Sequence, residues 1–155
     1  MIWPLPQHYS LNSCLFPVSN NFTFNVINQN INNDILIEGI NRYKSLIFPR
    51  IPDLSPKNSA QLLVIDIELE NPMNTELNID TNETYSLNIP FVKGQYISGK
   101  IYGNNVFGVL KGLETFSQLI VYNYTLGYYV LKYCNVAIND YPRFKHRGIM
   151  LDTSR

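Results

Sequence analysis

Apolar and polar side chains along this chain alternate in short stretches, and their periods mark out the elements. Phe22-Thr-Phe-Asn-Val-Ile27 alternates and predicts a half-buried strand. A helix follows, with Asn33 or Asp34 as its cap and Ile35, Leu36, Ile40, Tyr43 and Ile47 at three- and four-residue spacing until Pro49 stops it. A loop rich in Pro and Ser separates this helix from Leu62-Leu-Val-Ile-Asp-Ile-Glu-Leu69, where Ile65, Ile67 and Leu69 alternate with Asp66 and Glu68. Thr84-Tyr-Ser-Leu-Asn-Ile89 and Gln95-Tyr-Ile-Ser-Gly-Lys-Ile-Tyr102 predict two neighbouring antiparallel strands, the second bulged at Gly99. Asn104 or Asn105 caps a second helix whose apolar stripe is Val106, Val109, Leu110, Leu113, Phe116, Leu119 and Ile120, opposite Lys111, Glu114 and Gln118. Gly108 and Gly112 lie within it, each costing roughly 1 kcal/mol of helix propensity, so close packing on a sheet is expected to compensate. Tyr128–Tyr133 and Asn135–Ile138 read as closing strands. The sum is an α+β fold, an antiparallel sheet with two helices on one face.

Past Asp140-Tyr-Pro142 the pattern changes. Gly148-Ile-Met-Leu-Asp152 is a continuous apolar run, the mark of a parallel strand buried on both faces, as in an α/β barrel. Residues 1–142 are therefore predicted to be one domain and residues 143–155 the start of another. Left unpaired, Ile149, Met150 and Leu151 predict poor solubility.

Composition narrows the function. Hydrophobic residues make up 45% of the 155 positions, enough for a core, and 12 basic residues balance 12 acidic ones, so no field draws nucleic acid or an anionic membrane. No apolar stretch reaches the roughly 20 residues of a membrane span. Pro4 and Pro6 are incompatible with the apolar helix of a signal peptide, so any export signal is expected to lie outside this sequence. Asn21, Asn82 and Asn123 each open an Asn-X-Thr acceptor in a turn-like setting, which suits a glycosylated secreted chain. Cys14 and Cys134 are compatible with a disulfide in an oxidising compartment and with two buried thiols, and no Cys/His spacing suggests a metal. His8 beside Tyr9 has no second ligand at useful spacing and reads as a surface residue. Asp66 and Glu68 read as the solvated face of a strand, and sheet propensity accounts for Tyr122, Tyr124, Tyr128, Tyr129 and Tyr133 better than a carbohydrate platform does.

Two longer blocks carry a resemblance. Val106-Phe-Gly-Val-Leu-Lys-Gly-Leu-Glu-Thr-Phe-Ser-Gln-Leu119 and Ile138-Asn-Asp-Tyr-Pro-Arg-Phe-Lys-His-Arg-Gly-Ile-Met-Leu-Asp-Thr-Ser-Arg155, with the opening Ile2-Trp-Pro-Leu-Pro-Gln7, resemble the β-N-acetylhexosaminidases of glycoside hydrolase family 20. The likeness spans essentially the whole chain, as the family's N-terminal domain plus the first strand of its truncated (β/α)8 catalytic barrel. It implies a lysosomal or secreted glycoprotein and a retaining exo-glycosidase that needs no cofactor. Its substrate would be a terminal β-linked N-acetylglucosamine or N-acetylgalactosamine, whose own acetamido group acts as nucleophile. It admits a homo- or heterodimer.

In that family an adjacent Asp-Glu pair orients the acetamido group and protonates the leaving oxygen. None of these 155 residues forms an Asp-Glu dipeptide, so the segment alone is expected to be inactive, with the pair downstream of residue 155 or absent. One site residue carries over: Arg155, closing Asp-Thr-Ser-Arg, would grip hydroxyls of the terminal sugar with its fixed fork of donors. Asp152 would brace that Arg or close a turn, while His146 and Arg147 would be structural. The sequence departs from related lysosomal enzymes in having no Cys near Asn33 or Glu70, where those carry a disulfide. Three classes are compatible with the residues: a portion of a hexosaminidase, a truncated non-catalytic paralogue acting as an interaction domain, and an unrelated secreted binding module.

Overall fold

The computed structural model describes residues 2–27, 33–56 and 61–153. In chain order the elements are β1 (His8–Val26), α1 (Asp34–Ile47), β2 (Leu62–Leu69), β3 (Tyr85–Ile89), β4 (Ile97–Gly103), α2 (Val106–Ser117), β5 (Ile120–Asn123) and β6 (Tyr128–Asp140). The six strands form one sheet in the order β1-β2-β4-β3-β6-β5, and β1 also returns to pair with β6.

The sheet is mixed, not antiparallel as the sequence pattern suggested. β1 and β4 both run parallel to β2, while β3, β5 and β6 make antiparallel pairs. For β1 and β2 the cause is α1, a crossover that brings the chain back in its original direction, whereas β4 is parallel to β2 because the chain reverses at β3 and returns between them. Strand β1 also begins 14 residues before the predicted Phe22, and its first half pairs antiparallel with β6 from His8↔Asn139 to Pro17↔Val130. Register shifts after Ser10 and Ser13 break the alternation there, so no period of 2 marks this half as a strand. Within the second shift, Cys14 forms a disulfide with Cys134 across 120 residues.

Both helices are fixed by asparagine caps. Asn33 Oδ1 accepts from Leu36 N at 3.0 Å, and Asn105 Oδ1 accepts from Phe107 N and Gly108 N at 3.0 and 3.1 Å, satisfying donors with no partner inside the helix. α2 lies on β4, β3 and β2, burying Val106, Val109, Leu113 and Phe116 completely. Its glycines are where the sequence reading put the close packing: a Cβ on Gly108 would stand 2.5 Å from Thr84 O, and one on Gly112 would stand 2.7 Å from Ile101 Cγ2. α1 packs beside α2, with Leu36, Tyr43 and Ile47 inward and Ile35, assigned to its apolar stripe from spacing, 37% exposed.

Three further expectations are corrected. Gly99 is no bulge; it pairs regularly with Ile65, and a Cβ there would meet Ile65 Cδ1 at 2.5 Å. The register shift is on β2, where Leu62 and Val64 face the consecutive Ile97 and Ser98. Ile120, placed in the second helix, starts β5, because α2 ends at Ser117 and the chain reverses into a hairpin with β6. Residues 128–140 are one strand, continuous through Asn135, whose φ is 51°. Asp66 and Glu68 sit half-exposed on the outer sheet face, Asp66 accepting from Asn25 Nδ2 at 2.7 Å and Glu68 paired with Lys100, as strand alternation requires.

Candidate functional site

The residues singled out for substrate contact follow β6, so the site is built from that strand's end. Asp140 closes β6, and its two oxygens fasten different parts of the chain. Oδ1 accepts from Gln7 N at 2.9 Å and Oδ2 accepts from the Tyr85 hydroxyl at 3.2 Å. Tyr85 also shares a 2.5 Å hydrogen bond with Thr115 Oγ1 on α2. Burial, with the Asp140 carboxylate beside it, raises the Tyr85 hydroxyl pKa well above the ordinary tyrosine range. It stays neutral and acts as a tie between layers.

One turn further, the connector is held by charge. Glu83, just before β3, is 8% exposed and pairs with the Arg147 guanidinium, with Lys111 Nζ at 3.9 Å. Arg147 also donates to the carbonyl of Phe144 at 2.5 Å, so a single side chain folds the connector on itself and binds it to the domain. Lys145 meets Asp80 at 2.5 Å in the open. A buried carboxylate with two cations satisfies the demand that a desolvated charge be paired, and removing either partner leaves the other costly. The structural role read for Arg147 is thus what the geometry shows. His146 is exposed.

Between the connector, the N-terminal Pro4 and Leu5, and the outer side of α2 lies a pocket of about 240 Å³. Its charged lining balances: Glu83, Glu114 and Asp140 against Lys111, Arg143 and Arg147. Glu83, Glu114, Asp140, Lys111 and Arg147 are each tied into an ion pair or hydrogen bond. Glu114 accepts from the Tyr43 hydroxyl at 3.0 Å, and burial together with that carboxylate pushes Tyr43 up to about 12. Groups so engaged hold the pocket's shape. Among the described residues no cluster of His, Cys, Asp and Glu could hold a metal.

The predicted site residues fare unevenly. Arg155 lies outside the described residues. Asp152 is exposed, and residues 148–152 form no strand: Ile149, Met150 and Leu151 are 90%, 91% and 83% exposed. A strand needs at least one neighbour to take up its backbone hydrogen bonds, and no described strand pairs with this run. The Asn-X-Thr acceptors are all at the surface to some degree, but Asn21 lies within β1, not in a turn. Asn82 closes a turn by accepting from Thr84 N and Oγ1, and Asn123 opens one by accepting from Thr125 N and Leu126 N. Glu83 escaped the sequence reading because it sits inside the Asn82-Glu-Thr84 acceptor. Its signal, a lone carboxylate before an alternating strand, does not distinguish it from an exposed one.

This geometry has relatives. Residues 2–119 match the family described as beta-acetyl hexosaminidase like. The chain is 37% identical over 155 residues to beta-hexosaminidase subunit B1 of Dictyostelium discoideum, covering 99% of this chain and 26% of that protein. It is 33% identical over 158 residues to the chitooligosaccharidolytic beta-N-acetylglucosaminidase of Bombyx mori, again covering 26% of the relative. Among solved structures, a chitobiase of Flavobacterium johnsoniae superposes over 99% of this chain and 22% of its own, with a TM-score of 0.71 at 25% identity. The chain thus spans about a quarter of the length of these relatives, and on a match covering most of its residues it belongs to the β-N-acetylhexosaminidase family, glycoside hydrolase family 20.

Proposed function

We propose that this chain supplies the N-terminal domain, and the entry into the catalytic barrel, of a β-N-acetylhexosaminidase acting on terminal β-linked N-acetylglucosamine or N-acetylgalactosamine. The observation that carries it is the match over 99% of the chain to a beta-hexosaminidase subunit at 37% identity. The mechanism proposed is the family's retaining, substrate-assisted one. Residues 1–142 do no chemistry in it. They form the body to which the Glu83–Arg147 pair clamps the start of residues 143–155. In the complete enzyme residues 148–152 become a barrel strand, and Arg155 emerges at its C-terminal end, the face where such barrels bind substrate. There its guanidinium donates to hydroxyls of the terminal sugar, and Asp152 braces it. The acid pair belongs to sequence outside these 155 residues. The disulfide fits lysosomal or secreted placement, as does glycosylation at Asn21, Asn82 and Asn123.

The test is a chimera in which residues 1–155 replace the matching quarter of the Dictyostelium subunit, assayed on a chromogenic β-N-acetylglucosaminide. Activity is expected. Arg155→Ala is expected to lower kcat/KM about a hundredfold or more, the effect of losing two charge-assisted hydrogen bonds. A folded but inactive chimera, or an Arg155→Ala variant within twofold of its parent, would sink the reading.

A further inference from the structure

At the end of β6 opposite the connector, some 40 Å away along a 13-residue strand, the β5–β6 turn carries a second group of polar and aromatic side chains. Tyr124 is 80% exposed, with its ring centroid 5.1 Å from that of Tyr122 and edge-on to it. The Arg50 guanidinium lies 4.3 Å from the Tyr122 ring centroid and 5.5 Å from that of Tyr124. Asp53 accepts from the Tyr122 hydroxyl at 2.6 Å and from Arg50 Nη2 at 3.2 Å. The loop that brings Arg50 and Asp53 here is fixed in place. Arg50 N donates to the Tyr129 hydroxyl at 3.2 Å, that hydroxyl donates to Arg50 O at 3.1 Å, and Leu54 N donates to Gly127 O at 2.9 Å.

Fastening the loop accounts for Tyr129, Gly127 and the Tyr122 hydroxyl. It does not account for the Tyr124 ring, which lies in the turn outside either strand and stands in solvent, nor for the 41% of the Arg50 side chain left exposed beside it. An aromatic face is electron-rich and attracts the positively polarised C–H groups on one side of a pyranose ring. Adjacent donors and acceptors of fixed geometry suit neighbouring hydroxyl and amide groups. Preorganisation lowers the ordering cost of binding. The acceptor Asn123 sits between the two tyrosines in sequence.

We propose that Arg50, Asp53, Tyr122 and Tyr124 form a binding surface for an N-acetylglucosamine residue, separate from the contact assigned to Arg155. The choice of sugar rests on the hexosaminidase reading above. The sugar has two sources, an extended glycan held while its far end is trimmed, or the first residue of the chain's own glycan at Asn123.

Both are tested on the 155-residue chain. The unglycosylated chain, titrated with triacetylchitotriose to about 10 mM, is expected to show amide shifts centred on Asp53, Tyr122 and Tyr124. Tyr124→Ala is expected to weaken binding about tenfold, one exposed stacking contact's worth, with the remaining amide spectrum unchanged, and Tyr124→Phe to preserve it. In chain glycosylated at Asn123, an occupied surface would exclude the trisaccharide and shift the first sugar's protons through the Tyr124 ring current. Asn123→Gln would then restore trisaccharide binding. Trisaccharide binding that persists beside the Asn123 glycan supports the extended-glycan source. No shifts in the unglycosylated chain and no ring-current shift in the glycosylated one would overturn the proposal, as would a Tyr124→Ala chain that binds equally well. An active chimera without this binding removes the surface alone; binding with an inactive chimera removes the hydrolase reading alone.

Discussion

Leu113 and Leu151 are the same residue in two different situations. Leu113, with Val109 and Phe116 on α2, is fully buried against the sheet, whereas Leu151, with Ile149 and Met150, is over four-fifths exposed. The helix residues recur at the helical period and meet a sheet whose inner positions alternate to receive them. The later run is apolar at every position, so either face of a strand made from it would need covering, and no described strand of this domain pairs with it. Hydrophobicity sets the demand for burial; periodicity shows whether this domain can meet it. The connector between the two, tied by Asp140 and by Glu83 to Arg147, is where one regime ends.

The contrast can be broken most forcefully from the packed side. Leu113→Ala is expected to cost about 3 kcal/mol in urea unfolding, the transfer of the lost methyl groups plus a cavity under β4. A cost below about 1 kcal/mol would mean the body is not packed as described. Replacing Cys14 and Cys134 together by Ser should cost about 2–4 kcal/mol, since the bridge closes a span of 120 residues, and an unchanged urea midpoint would deny it a structural part.

Alkaline pH probes the same body more gently. Tyr43 is raised from 10.0 to about 12, first by burial and then by Glu114. Its neutral form is favoured in the fold, so this contribution is whole below pH 10 and is lost as pH rises from 10 to about 12, while the unfolded chain ionises first. Tyr43's share of the fall in urea midpoint across that window should be on the order of 1–2 kcal/mol, and Tyr43→Phe should remove that share while leaving the one due to Tyr85. The smallest effect should come from the exposed side. Changing Ile149, Met150 and Leu151 to Ser is expected to move stability by no more than about 0.5 kcal/mol while raising solubility. A larger loss would show that the run packs on this domain after all.

Much of the domain was legible because local and tertiary preferences agree. Both helices, their asparagine caps, the glycine contacts of α2 and strands β2, β3 and β4 follow from period and capping chemistry. What was not legible depends on partners distant in sequence. The first half of β1 is irregular in register, and the parallel directions of β1, β2 and β4 come from a helical crossover and from the insertion of β4 between β2 and β3, which pattern does not encode. The Cys14–Cys134 pairing and the Glu83–Arg147 clamp join residues 120 and 64 apart. Arg155 and Asp152 were named through resemblance in sequence, because a sugar contact on a bare strand end has no local signature.

Hydrogen exchange over residues 148–151 tests the central claim most directly, compared between the 155-residue chain and the chimera with the Dictyostelium barrel. These amides are expected to exchange freely in the chain, where they join no sheet, and to be strongly protected in the chimera, where they become a buried barrel strand. Protection already present in the chain alone, or free exchange in a chimera that hydrolyses substrate, would contradict the account.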